Sequence, residues 1–401
     1  MNYKTLVAKV RSRKERAFAQ YIPFNTQYRP TGIVSLKSPH ISDGIEYMEL
    51  NPPYTSRLDL PDNFRKSCSP YRQPTIEVEY PGNYVAQIKN GRLLLDSGSN
   101  MAIVTGTNKL IDEVSFQWKA DRVLETGRNS FLRQKGFHKP KHYPGKVFSL
   151  LSGGGARTYF YHWVVDSFPR LSLLQQAGLF DEVDFFLVPN YKLPFQRQFM
   201  EYFGIKENRI IDGANINHLQ ADNLIVSSYT VIKSHHPGWM CDWLYRSLIP
   251  SQENRIPRDK LIYIARGDSR RNRKVLNEQE VIEILKQHGF EICYLSGMSI
   301  TEQSRLFNSA HTIVAAHGAG LTNLVYCEPG TRVLELFPET YVTHVFCDIS
   351  SKRGLDYDFL LCPADGNANN AVEGQKINLT VNVTELQKKV GKMLTGVRDA
   401  G

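Results

Sequence analysis

Three stretches of this sequence carry residue types and spacings suited to chemistry rather than to packing alone. The first is Thr312 to Phe337, TIVAAHGAGLTNLVYCEPGTRVLELF. Its β-branched run Ile313 to Ala316 reads as a buried strand that breaks at His317-Gly318-Ala319-Gly320. Leu321 to Tyr326 then continues with the apolar spacing of a helix, Pro329-Gly330 stops it, and Val333 to Phe337 makes the next strand. A strand, a glycine turn and a helix N-terminus together form an anion site. Backbone N–H groups point outward, the helix dipole favours negative charge, and glycine lets a phosphate approach the chain. Glu335 stands on the second strand, where nucleotide-binding βαβ units place an acid for ribose hydroxyls. The expected occupant is a nucleotide. The spacing departs from the dinucleotide fingerprint at Asn323, where a third glycine would stand. His317 adds an ionisable ring that a plain strand-to-helix turn does not need.

The second stretch is Tyr161-His162-Trp163-Val164-Val165-Asp166-Ser167-Phe168-Pro169-Arg170. On a regular helix His162, Asp166 and Arg170 share one stripe at i, i+4 and i+8. An imidazole beside a carboxylate supplies a general base, Asp166 first and His162 second. The glycine-rich loop around Gly154 precedes this helix and puts its start at the carboxyl end of a strand, the edge where open α/β sheets bind ligands. In the third stretch, Arg266 is the first residue past the apolar run ending at Ala265, and Arg271, Arg273 and Lys274 follow. A guanidinium at a sheet edge suits a diphosphate through bidentate contact, while most of the basic run reads as surface loop. Asp356-Tyr357-Asp358 has the form of a metal-holding D-x-D, but its surroundings do not read as a strand end with free ligands, and no metal is expected.

Positioning these groups takes two α/β regions. The first runs from about Val147 to Pro250, with a strand at 147–151, a long helix from Thr158 to about Ala177, a strand at 183–188, a helix at 194–203, a strand at 224–228 and a helix at 239–249. The second is cleaner, with strands at 260–265, 290–295, 311–316 and 333–337. Asn277 with Glu280 and Ser299 with Glu302 are capping boxes that open two of its helices, and Gly289 and Gly297 turn its connections. Strands alternating with helices argue for parallel sheets. Residues 249–257 have linker composition. Residues 1–80 are weakly patterned, and 83–104 read as a small antiparallel meander, with a hairpin at Asn90-Gly91. A last amphipathic helix spans 381–393.

The 401 residues suffice for two or three domains, and the net charge of +9 suits acidic partners such as nucleotide or an anionic membrane surface. Nucleic acid is not expected, since no reading motif for it is present. The six cysteines are scattered without a C-x-x-C pair, which favours a reducing compartment and argues against zinc. No apolar run reaches the roughly 18 residues of a membrane span, and the basic N-terminus lacks an apolar signal core. The expected location is cytoplasmic, with peripheral membrane contact allowed by the charge. Asn378 and Asn382 head sequons of glycosylation form, to which a cytoplasmic chain attaches no meaning.

Tyr161-His162-Trp163 with Asp166 and Pro169-Arg170, then Ile264 to Asp268 with Arg271 and Val275 to Glu278, then His317 to Asn323 with Pro329-Gly330 and Glu335, resemble in order and spacing the three motif blocks of glycosyltransferase family 61. The blocks cover about 140 to 340. The resemblance implies a GT-B-like fold of two facing, doubly wound Rossmann-like domains behind a small β-rich N-terminal extension. It implies inverting transfer from a UDP-sugar to a glycan, glycolipid or protein-linked acceptor, with no cofactor and no metal. Family members transfer xylose, N-acetylglucosamine or arabinose. The expected division is 1–140 for the irregular segment and meander, 141–252 for an acceptor domain, 253–370 for a nucleotide-sugar domain and 371–401 for a helical tail. Asp166 and His162 are the expected catalytic pair. Substrate binding is expected from Arg266, His317, Gly318, Ala319, Gly320, Leu321, Asn323, Glu335, Arg170, Gly154 and Arg271. Two other readings fit the same residues: a non-catalytic nucleotide-sugar binding module, and a nucleotide-dependent oxidoreductase of Rossmann type.

Overall fold

Apolar alternation builds a first sheet that starts well before the expected α/β region. The computed structural model describes residues 26–38, 44–96, 100–119, 122–152, 159–249, 257–267 and 273–395. Strands β1 (Ile45–Asn51), β2 (Asn83–Lys89), β3 (Arg92–Leu95) and β4 (Met101–Val104) lead into β5 (Lys141–Ser149), β6 (Phe185–Val188), β7 (Ile210–Asp212) and β8 (His218–Ser227). With two short strands at 33–34 and 110–111 they form one ten-stranded sheet. Its parallel part runs β8-β5-β6-β7, with Phe148 opposite both Ile225 and Phe186.

The hairpin expected at Asn90-Gly91 is absent. Both β2 and β3 pair antiparallel with β8, Ile88 opposite Leu224 and Leu94 opposite His218. The long, buried β8 outcompetes local pairing, and Asn90 at φ 53° bends the chain along it. Gly91 is required by the close crossing: a Cβ there would lie 2.7 Å from Leu224 Cβ. The meander therefore joins the first sheet, and the division expected at residue 140 runs through hydrogen-bonded strands.

The second sheet is five-stranded and wholly parallel, from β9 (Lys260–Ile264), β10 (Glu291–Cys293), β11 (Ala310–Ala316), β12 (Arg332–Pro338) and β13 (Asp356–Cys362), in the order β10-β9-β11-β12-β13. Alternate residues serve opposite faces. Tyr263, Val314 and Leu334 meet helices α6 (Glu278–Gln287) and α9 (Val383–Thr395) through Val281, Leu285, Leu386 and Val390. Ile262, Ile313 and Val333 face α7 (Ile300–Asn308) and α8 (Val345–Lys352) through Phe307 and Ile349. Ser299 caps α7 as the capping box predicts, and Gly289 and Gly297 turn at φ 83° and 87°. Asn277 instead donates to Glu280 and to the carbonyl of Val381, tying α6 to the C-terminal segment. The expected tail thus packs into the second sheet's core.

The two sheets do not stand apart. One apolar cluster holds Trp163, Phe168 and Phe199 from the first unit together with Ile300, Leu321, Tyr326 and Phe346 from the second. A strap from the weakly patterned N-terminal region spans both. In α1 (Asp62–Ser67) Phe64 packs edge-on against Tyr357 and Phe359, while the carbonyl of Thr75 meets His235 Nε2 at 2.7 Å. All six cysteines are buried and unpaired, and no helix among the described residues is long and apolar enough to cross a membrane.

Candidate active site

In an open parallel sheet the ligand crevice lies beyond the carboxyl ends of the strands, where strand order reverses. In the second sheet that point falls between β9 and β11, so Arg266, just past β9, and His317, just past β11, flank it. The Arg266 backbone N–H donates to Glu278 Oε1 at 2.6 Å, and Tyr263 donates to the same oxygen at 3.2 Å. Gly318 has extended backbone, φ 171°, and its need is spatial: a Cβ would sit 2.1 Å from Arg266 Nη1. The guanidinium and the glycine turn are therefore in contact.

The turn opens into residues Ala319–Tyr326, but these form consecutive 3-10 turns rather than an α-helix. Leu321 is in the apolar core. Asn323 is buried and donates to the Gly320 carbonyl and to Gln303 Oε1, both at 3.0 Å. Its amide does the local bonding where a third glycine would stand, so Leu321 and Asn323 shape the turn from within. Ala319 and Gly320 lie on its outer side.

His317 and Glu335 form the buried centre. Glu335 Oε1 meets His317 Nδ1 at 2.5 Å and its Oε2 accepts from Tyr357 at 2.6 Å. Glu335, expected at ribose hydroxyls, is mid-strand and fully buried, turned toward His317 and Tyr357. Both oxygens are taken, and Nε2 of His317 is the ring atom left without a protein partner among the described residues. The ring stacks on Phe337 at 5.0 Å and touches Tyr341 and Phe346. Burial, then Arg273, Arg266 and Arg72, push His317 well below the usual histidine range. Burial lifts Glu335 to about 8. The pair is thus held as a hydrogen bond with the ring uncharged.

Arg273, which the sequence places in a basic surface loop, is instead buried beside His317. It takes φ 74°, a left-handed backbone that costs energy for a non-glycine residue, and it is buried. Its Nη1 donates to the His317 carbonyl at 2.8 Å and its Nη2 to Gln375 at 3.3 Å. Burial pushes this guanidinium down to about 10. Gly154 and Arg271 lie outside the described residues.

On the first unit, the expected long helix is broken into α2 (Phe160–His162), a π-turn at Trp163–Ser167 closed by Phe168 N–H to Trp163 at 2.9 Å, and α3 (Arg170–Gln176) after Pro169. Pro169 has no N–H to give and starts a new helix, and π-turns recur at functional positions. His162 Nδ1 and Asp166 Oδ2 meet at 2.7 Å and remain solvent-reachable, with side chains 41% and 23% exposed. The turn is pinned by Thr230, just beyond β8, which donates to the Val165 carbonyl at 2.7 Å. Arg170 departs from the expected stripe because the wide turn breaks the 3.6-residue period. It is buried over the Tyr229 ring at 5.1 Å and meets Asp166 only at the carbonyl, 3.3 Å away.

A relay invisible in the sequence joins the units. Tyr161 OH meets His236 Nε2 at 2.7 Å, and His236 donates both Nδ1–H and its backbone N–H to Asp348 Oδ2, at 2.8 and 2.7 Å. Burial works to raise the Asp348 carboxyl, but the His236 contacts, with Lys352, hold it below its ordinary value. The only sequence signal was the His235-His236 pair ahead of Pro237. Tyr161 and His317 both lean on Phe346, at 6.0 and 5.2 Å between ring centres. Tyr161, next in sequence to His162, and His317 thus touch the same aromatic ring. Asp358 pairs with Lys389, and among the described residues no cluster of three metal-ligating side chains occurs.

These features define an α/β protein with a cationic, histidine-centred site at the carboxyl edge of a parallel sheet. The more particular assignment comes from comparison. The profile of the Glycosyltransferase 61 family matches residues 160–334, from the base candidates to the strand of Glu335, and that stretch of the chain is similar to the family. A β-1,2-xylosyltransferase of Oryza sativa subsp. japonica is 34% identical over 98 residues, 22% of this chain and 18% of that protein. A xylan glycosyltransferase of Arabidopsis thaliana is 28% identical over 118 residues, 27% and 22% of the two chains. A β-1,2-xylosyltransferase of Arabidopsis thaliana is 28% identical over 131 residues, 29% and 23%. The match thus spans about a fifth of the length of these relatives.

Proposed function

We propose that this chain is an inverting glycosyltransferase of GT-B type, moving a sugar from a UDP-sugar to a hydroxyl of a glycan, glycolipid or protein-linked acceptor. The observation that carries the reading is the convergence of Arg266, Arg273 and the Glu335-held His317 at a strand-order reversal, across Phe346 from Tyr161, the neighbour of the His162–Asp166 pair. In this reading the acceptor hydroxyl gives its proton to Asp166, with His162 orienting the carboxylate. The freed oxygen attacks the anomeric carbon as the carbon–oxygen bond to the diphosphate breaks on the opposite face. UDP leaves carrying the charge, which Arg266, Arg273 and the turn N–H groups neutralise in a poorly hydrated site. The names of the relatives put UDP-xylose first among donors to try.

The test is a thermal-shift series with UDP, UDP-xylose, UDP-N-acetylglucosamine, UDP-arabinose and NADH. A ligand present at about 100 times its Kd adds about 2.7 kcal/mol to the folded state. Stabilisation by a UDP-sugar supports the reading, and stabilisation by NADH alone overturns it in favour of the oxidoreductase. A binding module without catalysis would be stabilised equally but release no UDP with any acceptor.

A further inference from the structure

The family match begins at residue 160, yet one cationic side chain of the site comes from far upstream. The segment Pro70–Arg72 lies on the loop that follows β12. Ser69 and Val342 exchange two hydrogen bonds, backbone N–H to the Val342 carbonyl at 3.1 Å and Val342 N–H to Ser69 Oγ at 2.9 Å. Tyr71 donates to the Thr340 carbonyl at 2.6 Å. The strap is therefore anchored on both sides of Tyr341. It carries Arg72 to 5.9 Å from the Tyr341 ring, while Arg273 lies 5.0 Å from that ring and His317 5.6 Å.

Neither guanidinium has a carboxylate partner among the described residues. Arg273 donates to two backbone carbonyls, one bond from each Nη, which leaves further N–H groups and the buried Nε unpaired among the described residues. Arg72 has a buried, unpaired Nε and, among the described residues, no side-chain hydrogen bond. The carboxylate beside this cluster, Glu335, is occupied by His317 and Tyr357. His344, on the same loop, is buried with both ring nitrogens unpaired. Arg273 is buried and Arg72 half-buried, and cations withdrawn from water are usually paired, so two guanidiniums beside one aromatic ring without a carboxylate partner among the described residues suit a multiply charged anion. Planar guanidinium forks match phosphate oxygens in pairs.

We propose that Arg72 is a donor-binding residue: beside the same Tyr341 ring as Arg273, it grips the diphosphate of the nucleotide, so that the N-terminal strap completes the donor site. This rests on the nucleotide-sugar reading above and adds to it a ligand contact from outside the family stretch.

Titration calorimetry on the full chain tests it with UDP, uridine and inorganic pyrophosphate, for the wild type, Arg72→Gln and Arg72→Lys. Arg72→Gln weakens UDP and pyrophosphate binding by roughly 10- to 100-fold, the range for a lost hydrogen bond to a charged group, and leaves uridine within about twofold. Arg72→Lys, which keeps the charge, recovers part of the loss and controls for folding. If the wild type binds UDP and Arg72→Gln binds it equally well, the inference is overturned while the glycosyltransferase reading stands. Equal losses for UDP and uridine make Arg72 a packing residue and also overturn it. Should the wild type bind pyrophosphate but no nucleoside diphosphate, with the pyrophosphate lost in Arg72→Gln, the anion cradle stands and the donor reading fails. Binding of none of these overturns both.

Discussion

Glu335→Gln tests the centre of the site through its proton balance. Glu335 is fully buried and lifted by burial to about 8, against an ordinary value of 4.5. At about 1.36 kcal/mol for each tenfold change in proton affinity, that gap corresponds to about 5 kcal/mol. The sign follows from proton binding. Between the two values the folded chain holds a proton that the unfolded chain has released, so stability is fully present below about 4.5 and is lost as pH rises through about 8. His317 acts in the opposite sense. Its value is lowered in the fold, so its contribution is present above 6.5 and lost as pH falls. Glutamine keeps the shape, accepts from Tyr357 and cannot ionise. Urea unfolding at about pH 5 and about pH 8.5 isolates the Glu335 term as the change in the wild-type-minus-variant stability difference, which is expected to fall by several kcal/mol toward alkaline pH. Parallel pH profiles for the two proteins would refute an uncharged, buried Glu335.

Three further outcomes follow from the site. Asp166→Asn lowers turnover by roughly 10²–10⁴-fold with UDP affinity nearly unchanged, and His162→Ala costs less; steady-state kinetics at saturating acceptor checks both, and near-normal turnover in both would remove the pair from catalysis. Arg266→Ala weakens UDP by roughly 1.5–3 kcal/mol and uridine by less, measured by calorimetry, whereas equal losses would take Arg266 off the phosphates. Activity survives EDTA; loss on chelation with recovery on added manganese would return Asp356 and Asp358 to consideration as ligands, despite the Asp358–Lys389 pair.

What the sequence shows of this molecule is what short-range physics writes into it. The strands around His317 alternate or run apolar because both faces are covered, and Ser299 caps α7 because Glu302 is one turn away. The contact of Arg266 with Gly318 also follows from their places past two adjacent strands. Other features depend on partners far along the chain. His236 and Asp348 are 112 positions apart, and no periodicity marks them. The Asn90-Gly91 signal is a true bend, but β8, over a hundred residues later, decides its neighbours. Strand β13 was missed because the alternating Asp356-Tyr357-Asp358 looks polar until Tyr357 is seen turned inward to Glu335. Arg170 was misplaced because a single wide turn rotates everything after it.

The pairing of β8 has a practical consequence for cutting the chain. The family stretch begins at 160 and ends at 334. A fragment with those ends would keep β8 but lose β5 on one side of it and β2 and β3 on the other. On the second sheet it would sever β12 before Glu335 and remove β13 entirely. The ten residues of β8 would then lie bare along both rims, a template for chain-to-chain pairing. Such a fragment is expected to precipitate on expression, while one beginning near Ile45 and ending after Thr395 keeps both rims covered.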